Sequence, residues 1–322
     1  MKVGIDVSPL VQTAAGTASV IRGLIGALSH RPGIELAQLT FGGSGRGATI
    51  ARDGGWYPVG IALAARGLDV LHCTTMRTPL RARPPVVATV HDVAVLRFPE
   101  AFPAWHRHTG RLALRQSVRT ADAIIAVSEF TRNELVELLS VPPDRIRVVR
   151  NGVGSVFAAD GPVALGEYVL AVGTLEPRKN LPRVVEAARL AGVELRVVGA
   201  PGWGNVDVPG WVGRTTDEEL AALYRGARCL VFPSLYEGFG LPILEAMACG
   251  TPVVTSRGGA TEEVAGGAAV LVDPLDTASI AAGIDEAKRR SDELVGLGSE
   301  RARAFTWERA ADDVEALWSE LA

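Results

Sequence analysis

The stretch "CLVFPSLYEGFGLPILEAMACGTPVV", residues 229–254, contains a strand, a glycine-rich turn, a helix and the start of another strand. The apolar run at its beginning is short and uniformly nonpolar, as in a strand that is buried on both faces of a parallel sheet. Pro242 lies where a first-turn proline is tolerated, and Gly250 lies where a left-handed helix stop is expected. We therefore expect the helix to run from about Leu241 to Cys249.

The same alternation of short apolar runs and helical patterns extends along the whole chain. The first half contains "KVGIDV", "ELAQLTF", "DVLHC", "VVATVH" and "AIIAVS", and the second half contains "YVLAVG", "ELRVVG", "CLVFPS", "PVVTS" and "AVLVDP". Because 322 residues exceed the usual size of one domain, we predict an α/β protein with two Rossmann-like, doubly wound domains. A Gly-, Pro- and Ala-rich stretch after Asn151 and Gly152 looks like the linker. The predicted parts are residues 1–152, 153–305 and a terminal helix over 306–322.

The composition is that of a soluble globular protein, with 48% hydrophobic and 21% charged residues. No apolar run reaches the roughly 18 residues of a membrane-spanning helix, and the chain enters a strand directly without a signal peptide. Cys73, Cys229 and Cys249 lack the spacing of a disulfide framework or a metal site. We therefore expect a cytoplasmic protein.

Charge is distributed unevenly between the two halves. Residues 1–157 hold 18 Lys+Arg against 11 Asp+Glu, whereas the remaining residues hold 15 against 25. A basic first half suits an anionic acceptor or peripheral contact with the inner face of a membrane, and no nucleic-acid partner is expected. The arginines that could make such contacts lie in one loop: Arg77, Arg81 and Arg83. A solvated loop is the alternative interpretation, as it is for the helix face that carries Arg107, Arg111 and Arg115.

Ligands of open α/β sheets bind at the carboxyl ends of the strands, so the loop after "CLVFPS" is a candidate site. Gly238 and Gly240 let backbone N–H groups approach a ligand, and the helix start behind them favours a phosphate. A carboxylate beside a phosphate would repel it. We therefore expect Glu237 and Glu245 to accept hydrogen bonds from neutral hydroxyls of a ribose or hexose. The alternative for Glu245 is an acid that complements the helix dipole.

Two adjacent cations, Arg178 and Lys179, follow the strand "YVLAVG". Cations and helix N–H groups together make a diphosphate site, whereas a solvated surface pair is the alternative. Lysine is scarce in this chain, which holds three of them in all. Asn180 is a candidate cap for the helix that follows.

The first half carries further candidates at strand ends. Gly16 and Thr17 begin a helix. Either Thr17 caps this helix, or the loop before it provides a second backbone surface that contacts the phosphates. His91 could donate to a hydroxyl or a leaving phosphate, with Asp92 orienting it or capping the next turn; a structural histidine is the alternative. Ser128 is either a helix cap or a ligand contact. The chain has neither a G-x-G-x-x-G nor a Walker A loop.

These motifs together resemble glycosyltransferase family 4, whose members are retaining enzymes of GT-B fold. The resemblance covers nearly the whole chain and rests on "VGTLEPRKN", "SLYEGFGLPILEAMACGTPVV", "TVHD", "AVSEFT", "VVRNGV" and "FTWERAA". Its most specific part is the Glu-x7-Glu motif of Glu237 and Glu245. The resemblance implies that the first domain binds the acceptor, that the second binds a nucleotide-diphosphate sugar, and that the terminal helix packs back on the first domain.

The resemblance also implies roles for single residues. Arg178 and Lys179 would hold the donor diphosphate and stabilise its growing charge, Glu245 would hold the ribose, and Glu237 and His91 would lie by the transferred sugar. Gly16 would let the first domain's loop approach the phosphates. Further donor contacts are expected from Gly173, Gly238, Phe239, Gly240 and Leu241. By position, Trp211 and Val212 would line the pocket of the base.

For the mechanism, the resemblance favours front-face attack, in which the departing diphosphate helps to deprotonate the acceptor hydroxyl, so Glu237 is not expected to be a nucleophile. The chain has no Asp-x-Asp motif, and the cationic pair could replace a metal ion, so we expect no metal and no cofactor. The stretch "TVHDVAVLRFPE" is similar to mannosyl- and rhamnosyl-transferring members of the family, and this resemblance favours GDP-mannose as donor and leaves a UDP-sugar open. The alternatives are a non-catalytic nucleotide-sugar-binding or regulatory protein and a GT-B epimerase. The presence of both His91 and Glu237 favours the transferase.

Overall fold

The computed structural model describes residues 1–12, 16–43, 45–202 and 208–322. The chain divides into two compact units. The first unit comprises residues 1–97, 104–152 and 307–322, and the second comprises residues 98–103 and 153–306.

The first unit is built on one sheet of parallel strands. They are β1 (Lys2–Asp6), β2 (Glu35–Leu39), β3 (Val70–Cys73), β4 (Val86–Val90), β5 (Ala123–Ala126) and β6 (Ile146–Val148). Their order across the sheet is β2-β1-β3-β4-β5-β6. Every residue of β3, β4 and β5 is buried, because helices or loops cover both faces. This burial explains why these strands are apolar without alternation.

The helices that precede and follow these strands vary in length. They are α1 (Gly16–Leu28), α2 (Arg46–Ala51), α3 (Ile61–Ala64), α4 (Ala94–Arg97), α5 (Ala104–Thr120) and α6 (Glu129–Leu139). A π-helical segment, Arg52–Gly60, joins α2 to α3, and 3-10 turns occur at Ser8–Val11 and Pro143–Arg145. No helix lies between β3 and β4, whose connection is a loop over residues 74–85.

The second unit repeats this architecture. Its strands are β7 (Tyr168–Val172), β8 (Glu194–Val198), β9 (Trp211–Gly213), β10 (Leu230–Phe232), β11 (Val253–Ser256) and β12 (Val270–Val272). They are parallel, in the order β12-β11-β10-β7-β8-β9. Its helices are α7 (Leu181–Leu190), α8 (Asp217–Gly226), α9 (Leu241–Ala248), α10 (Gly259–Ala265), α11 (Thr277–Arg289) and α12 (Ser291–Arg303). Short 3-10 turns lie at Pro99–Ala101 and Pro177–Lys179.

The last helix, α13 (Trp307–Leu321), packs within the first unit against α1. Trp318 is fully buried in the core that the two helices share with the sheet. The indole of Trp307 lies directly over Gly23, where the missing side chain leaves room for it. Arg31 fixes the pairing by ion pairs to Asp312 and Glu315. Among the described helices, none combines the length and the apolar character needed to cross a lipid bilayer.

The ten strands that the sequence pattern predicts are all present, whereas β6 and β9 were not predicted as strands. Each of these two has three residues, which is too short for a periodicity to show. Strand β6 ends at Val148, just before Asn151 and Gly152, which precede the predicted linker. The predicted limits of α9 are confirmed to within one residue, and Gly250 has the expected positive φ of 75°.

Candidate functional site

Two loops at the carboxyl ends of neighbouring strands form the candidate site of the second unit. Strand β10 pairs directly with β7, so the loop after each strand leaves the same edge of the sheet. A backbone hydrogen bond from Leu235 N to Arg178 O, 2.8 Å long, ties the two loops together. The residues of the "RKN" and "YEGFG" motifs are therefore brought together although nearly sixty positions separate them.

Glu237 forms ion pairs with both predicted phosphate-binding cations. Its Oε1 lies 2.6 Å from Lys179 Nζ, and its Oε2 lies 2.8 Å from Arg178 Nη1. Arg178 also reaches Glu176, with 2.7 Å between Nη2 and Oε1. These four side chains are between 4% and 16% exposed, so water screens their charges little. Sequence reasoning missed the pairing and the part played by Glu176, because the motif spacing gives no sign of which side chains meet.

The ionisation of Glu237 follows from these contacts. Burial by itself raises the pKa of a carboxyl group, but the charges of Arg178 and Lys179 outweigh it and lower the pKa of Glu237 to about 2. Glu237 is therefore an anion at neutral pH. A solvated surface pair is not the right description of Arg178 and Lys179.

Glycines shape the backbone at two points of the site. Gly240 immediately precedes α9 with φ of 120° and ψ of 51°, a conformation that side-chain-bearing residues rarely adopt. Gly173 directly follows β7, and a Cβ added to it would lie 3.0 Å from Cε of Lys179. The absence of a side chain at position 173 thus lets the Lys179 stem lie flat against the backbone.

Asn180 does not cap α7, so that prediction is wrong. The residue adopts the left-handed conformation, with φ of 60°, and its side chain makes no capping hydrogen bond. Instead, Nδ2 donates to Pro233 O at 3.0 Å and to Pro274 O at 2.6 Å. Asn180 therefore fastens the cation-bearing turn to the loop after β10. The sequence held one usable signal, since asparagine tolerates this backbone conformation better than most residues.

Glu245 lies on α9 and accepts a hydrogen bond from the hydroxyl of Tyr224, at 3.0 Å. Burial raises the pKa of Glu245 to about 7, and the hydrogen bond from Tyr224 opposes that shift. Glu245 is the fifth residue of the helix and lies beyond its first turn, which contains no acid. The dipole interpretation of Glu245 therefore loses its support. No sequence signal pointed to Tyr224 as its partner.

The other predicted donor residues of the second unit lie around these groups. Gly238 and Phe239 are buried in the loop before α9, and the Phe239 ring meets Phe305 edge to face at 6.0 Å. Trp211 and Val212 lie on β9 and are 45% and 50% exposed. The indole N–H of Trp211 donates to Gly199 O at 3.0 Å, which holds its ring in place. Residues 203–207, which precede β9, lie outside the described part of the chain.

His91 directly follows β4 in the first unit, and its Nε2 lies 2.9 Å from Thr74 O. Because a carbonyl oxygen only accepts hydrogen bonds, Nε2 carries a proton. Burial lowers the pKa of His91, so the ring is neutral near pH 7 and presents Nδ1 as an acceptor. This hydrogen bond to the backbone supports the structural-histidine alternative, and the donation to a hydroxyl or a leaving phosphate stays a prediction. Asp92 accepts from Ala94 N at 2.9 Å, which is the turn-capping alternative.

The remaining predicted residues of the first unit occupy different settings. Gly16 and Thr17 are the first two residues of α1, so Thr17 is inside the helix and is not its N-cap. Ser128 is buried and accepts from Thr131 N at 3.0 Å, which supports its interpretation as a helix cap. Arg77 pairs with Asp53 at 3.1 Å and lies over the Tyr57 ring. Arg81 and Arg83 are exposed.

The described residues contain no group of three or more His, Cys, Asp or Glu side chains that could hold a metal ion. The three cysteines are buried and free. The arrangement that remains is a pair of largely buried cations that Glu237 holds just before the N-terminus of α9, the helix that carries Glu245. Such a site suits an anionic group that carries hydroxyls on both sides.

Comparisons with known proteins agree with this geometry. The family model described as "Glycosyl transferases group 1" matches residues 163–303, and the model described as "Glycosyltransferase Family 4" matches residues 49–155. The O-antigen chain mannosyltransferase B of Escherichia coli is 35% identical over 257 residues, which are 69% of this chain and 67% of that protein.

Solved structures show the same architecture over the full length. The sucrose-phosphate synthase of Thermosynechococcus elongatus has a TM-score of 0.78 at 20% identity and covers 100% of this chain and 99% of its own. The Anabaena Alr3699/HepE protein in complex with UDP and glucose has a TM-score of 0.75 at 18% identity, with complete coverage of both chains. The predicted fold class, GT-B with two Rossmann-like doubly wound domains, is confirmed.

Proposed function

The chain belongs to glycosyltransferase family 4, and we propose that it transfers a hexose from a nucleotide-diphosphate sugar to an acceptor hydroxyl with retention of configuration. The Escherichia coli relative is named a mannosyltransferase and the Thermosynechococcus elongatus protein a synthase, and neither name supports a non-catalytic or epimerase alternative. The observation that carries the proposal is the pair of largely buried cations, Arg178 and Lys179, that Glu237 holds in the loop just before the N-terminus of α9.

The donor would bind along the loops after β7 and β10. Arg178, Lys179 and the first N–H groups of α9 suit the diphosphate, since cations and a helix N-terminus both attract negative charge. Glu245 suits the ribose hydroxyls, and Glu237 suits the hydroxyls of the transferred sugar. Trp211 and Val212 offer partly exposed apolar surface for the base. Gly173, Gly238, Phe239, Gly240 and Leu241 complete the donor set, and Gly16 and Thr17 are the proposed contribution of the first unit.

The reaction forms a bond between the acceptor oxygen and the anomeric carbon and breaks the bond from that carbon to the phosphate oxygen. The diphosphate leaves with the electron pair and takes up the acceptor proton. Arg178 and Lys179 lower the barrier because the charge on the leaving oxygen grows as the bond breaks. His91 would contact the sugar through Nδ1, as a hydrogen-bond acceptor. We propose that this cationic pair serves in place of a metal ion and that no cofactor takes part.

The favoured donor is GDP-mannose, with a UDP-sugar as the second candidate. The mannosyltransferase name of the Escherichia coli relative supports the former, and the UDP complex of the Anabaena protein supports the latter. We propose a role in glycolipid, polysaccharide or glycoside synthesis at the cytoplasmic side of the cell.

We further propose that the acceptor is lipid-linked or anionic and that the first unit touches the membrane surface. Helix α5 carries Arg107, Arg111, Arg115 and Arg119 and contains no Asp or Glu. Trp105 and Leu112 on the same helix are 64% and 53% exposed. Such a combination suits the surface of an anionic bilayer, because the arginines can pair with lipid headgroups and the exposed indole and leucine can enter the interface.

Beside this helix lies the loop over residues 74–85. Gln116 of α5 donates to Pro79 O at 3.3 Å, which places the 58% exposed Leu80 next to the helix. Arg81 and Arg83 follow Leu80 in the chain. We call the exposed side chains of α5 and this loop the basic face: Leu80, Arg81, Arg83, Trp105, Arg111, Leu112, Arg115 and Arg119.

A thermal-unfolding panel with GDP, UDP, GDP-mannose and UDP-glucose tests the donor site. A ligand that binds only the native state stabilises it by RT ln(1 + [L]/Kd), about 2.7 kcal/mol at a hundred times Kd. We expect the ligands with one of the two bases, guanine or uracil, to raise the Tm of the wild type. The control variant Lys288→Ala should show the same shift, because Lys288 pairs with Asp285 on α11. Lys179→Ala should lose the shift. No shift with any of the four ligands would overturn the donor site.

A further inference from the structure

The cations of the donor site are already neutralised by the protein itself. Arg178 and Lys179 contribute two positive charges, and Glu176 and Glu237 contribute two negative charges, all within 2.8 Å contacts. A donor diphosphate adds at least two negative charges to this balanced cluster. It can use the two cations fully only if a carboxylate gives up its place.

Glu237 is the carboxylate in position to move. It holds both cations at once, with one oxygen on each, as two non-bridging oxygens of a diphosphate would. The Glu176 carboxylate pairs with Arg178 at the other terminal nitrogen of the guanidinium. It follows that a diphosphate competes with Glu237 for the same N–H donors, whereas Glu176 can stay where it is.

We propose that Glu237 lets the site distinguish a nucleotide sugar from the nucleoside diphosphate, because the diphosphate displaces its carboxylate and only the sugar supplies hydroxyl groups to receive it. This inference rests on the donor site proposed above. It gives Glu237 a role in selectivity in addition to its expected contact with the sugar.

The physical reason is the cost of a buried, unpaired carboxylate. The Glu237 side chain is 10% exposed, so water does not solvate it fully once it leaves Arg178 and Lys179. Hydroxyl groups of a hexose can donate to the carboxylate and offset much of this cost. A nucleoside diphosphate has no hexose, so its binding bears the whole penalty. The lowered pKa of Glu237 agrees with a carboxylate that depends on the two cations.

The same exchange assists turnover. After transfer, the hexose belongs to the acceptor and the nucleoside diphosphate is left alone in the site. Glu237 then loses its hydroxyl partners and competes for Lys179 and Arg178 again. Its return favours release of the diphosphate, which is the step that would otherwise be slowed by two strong cationic contacts.

Calorimetric titration of two variants against both ligand types tests the inference, with GDP and GDP-mannose or with UDP and UDP-glucose, whichever pair the wild type binds. Glu237→Gln removes the negative charge that, in the proposal, competes with the diphosphate and moves toward the sugar when the donor binds. Glu176→Gln is the matched control, because it also removes one negative charge that pairs with Arg178, but at the other terminal nitrogen of the guanidinium.

In Glu237→Gln we expect the nucleoside diphosphate to bind at least tenfold more tightly than in the wild type, while the nucleotide sugar gains little. The ratio of the two affinities should therefore fall at least fivefold. In Glu176→Gln both ligands should gain alike, so the ratio stays within twofold of the wild type. An unchanged ratio in Glu237→Gln, or an equal fall in Glu176→Gln, would overturn the inference.

A second measurement uses the wild type and does not depend on how a variant folds. In a crystal structure with the nucleotide sugar bound, the Glu237 carboxylate should have left Lys179 Nζ and lie within hydrogen-bond distance of a sugar hydroxyl. A retained 2.6 Å contact with the donor in place contradicts the exchange. If the wild type binds none of the four ligands, the proposed donor site fails, and the inference fails with it.

Discussion

Tyr224 donates its hydroxyl hydrogen to Oε2 of Glu245 across 3.0 Å, joining helix α8 to helix α9. The two residues are 21 positions apart and neither belongs to a loop of the site. Since burial raises the pKa of Glu245 to about 7, this hydrogen bond helps to keep the carboxyl group ionisable near neutral pH.

Donor affinity should depend on pH through Glu245. An ionised carboxylate can accept hydrogen bonds from both ribose hydroxyls, whereas the protonated acid uses one oxygen as a donor. We expect the Kd for the nucleotide sugar to rise several-fold as the pH falls from 8 to 6, with a midpoint near the Glu245 pKa of about 7. Calorimetric titration over this range measures it.

Two variants serve as controls for that dependence. Tyr224→Phe removes a hydrogen bond that stabilises the carboxylate, so its midpoint should move to higher pH. Glu245→Gln cannot titrate and should bind weakly and equally at all pH values. If Glu245→Gln shows the wild-type midpoint, another group is responsible for the pH dependence.

The same group sets a pH dependence of folding stability. Its pKa is about 7 in the folded protein against an ordinary value of 4.5, so the unfolded chain releases this proton first. Glu245 therefore lowers the free energy of unfolding progressively as the pH rises from about 4.5 to about 7. Urea denaturation at pH 5 and pH 8 should show a smaller loss in Glu245→Gln than in the wild type.

Substitutions at Asn180 should separate backbone strain from side-chain contacts. Asn180→Gly keeps the left-handed backbone accessible but loses the hydrogen bonds to Pro233 O and Pro274 O. We expect it to lower the free energy of unfolding by about 2 kcal/mol, since two buried carbonyls lose their donor. Asn180→Ala should lower the free energy of unfolding by about 1 kcal/mol more than Asn180→Gly, because alanine is strained at a positive φ. Equal denaturation midpoints for the two variants would contradict the strain contribution.

Glycines 23 and 26 of helix α1 offer a matched pair. A Cβ on Gly23 would lie 2.1 Å from the indole of Trp307, so Gly23→Ala should force the terminal helix away and lower Tm by several degrees. A Cβ on Gly26 meets no atom within 4 Å, and alanine favours a helix by up to about 1 kcal/mol, so Gly26→Ala should raise Tm slightly. Differential scanning calorimetry distinguishes these opposite signs.

Membrane binding through the basic face should depend on its arginines. Each arginine near an anionic surface contributes about 1 kcal/mol, so replacing Arg111, Arg115 and Arg119 by Gln should weaken binding to phosphatidylglycerol vesicles roughly 100-fold. Vesicle flotation at low salt measures this effect, and neutral phosphatidylcholine vesicles should bind neither protein.

A control triple variant with the same charge change replaces exposed arginines of the second unit: Arg189, Arg289 and Arg303. It should float with the anionic vesicles like the wild type. Equal losses in both triple variants would mean that total charge governs binding and that the basic face has no special role.

Much of the fold follows from local pattern. Ten strands could be read from short apolar runs, and the limits of α9 from Pro242 and Gly250, because these signals depend on neighbouring residues only. Strands β6 and β9 were not predicted, because three residues are too few to show the hydrophobic periodicity of a strand. The identities of Arg178, Lys179, Glu237 and Glu245 as site residues came from motif spacing and from resemblance to a family.

The sequence by itself determined which residues have the chemistry for the site. It also determined that the chain forms two parallel sheets and that the site lies in loops at the carboxyl ends of strands. Only the tertiary structure decided the partners: that Glu237 neutralises both cations, that Asn180 ties two loops instead of capping a helix, and that Tyr224 supports Glu245. The physical reason is that these contacts join residues 21 to 94 positions apart. Their geometry arises from how strands pair and helices pack, which no local pattern records.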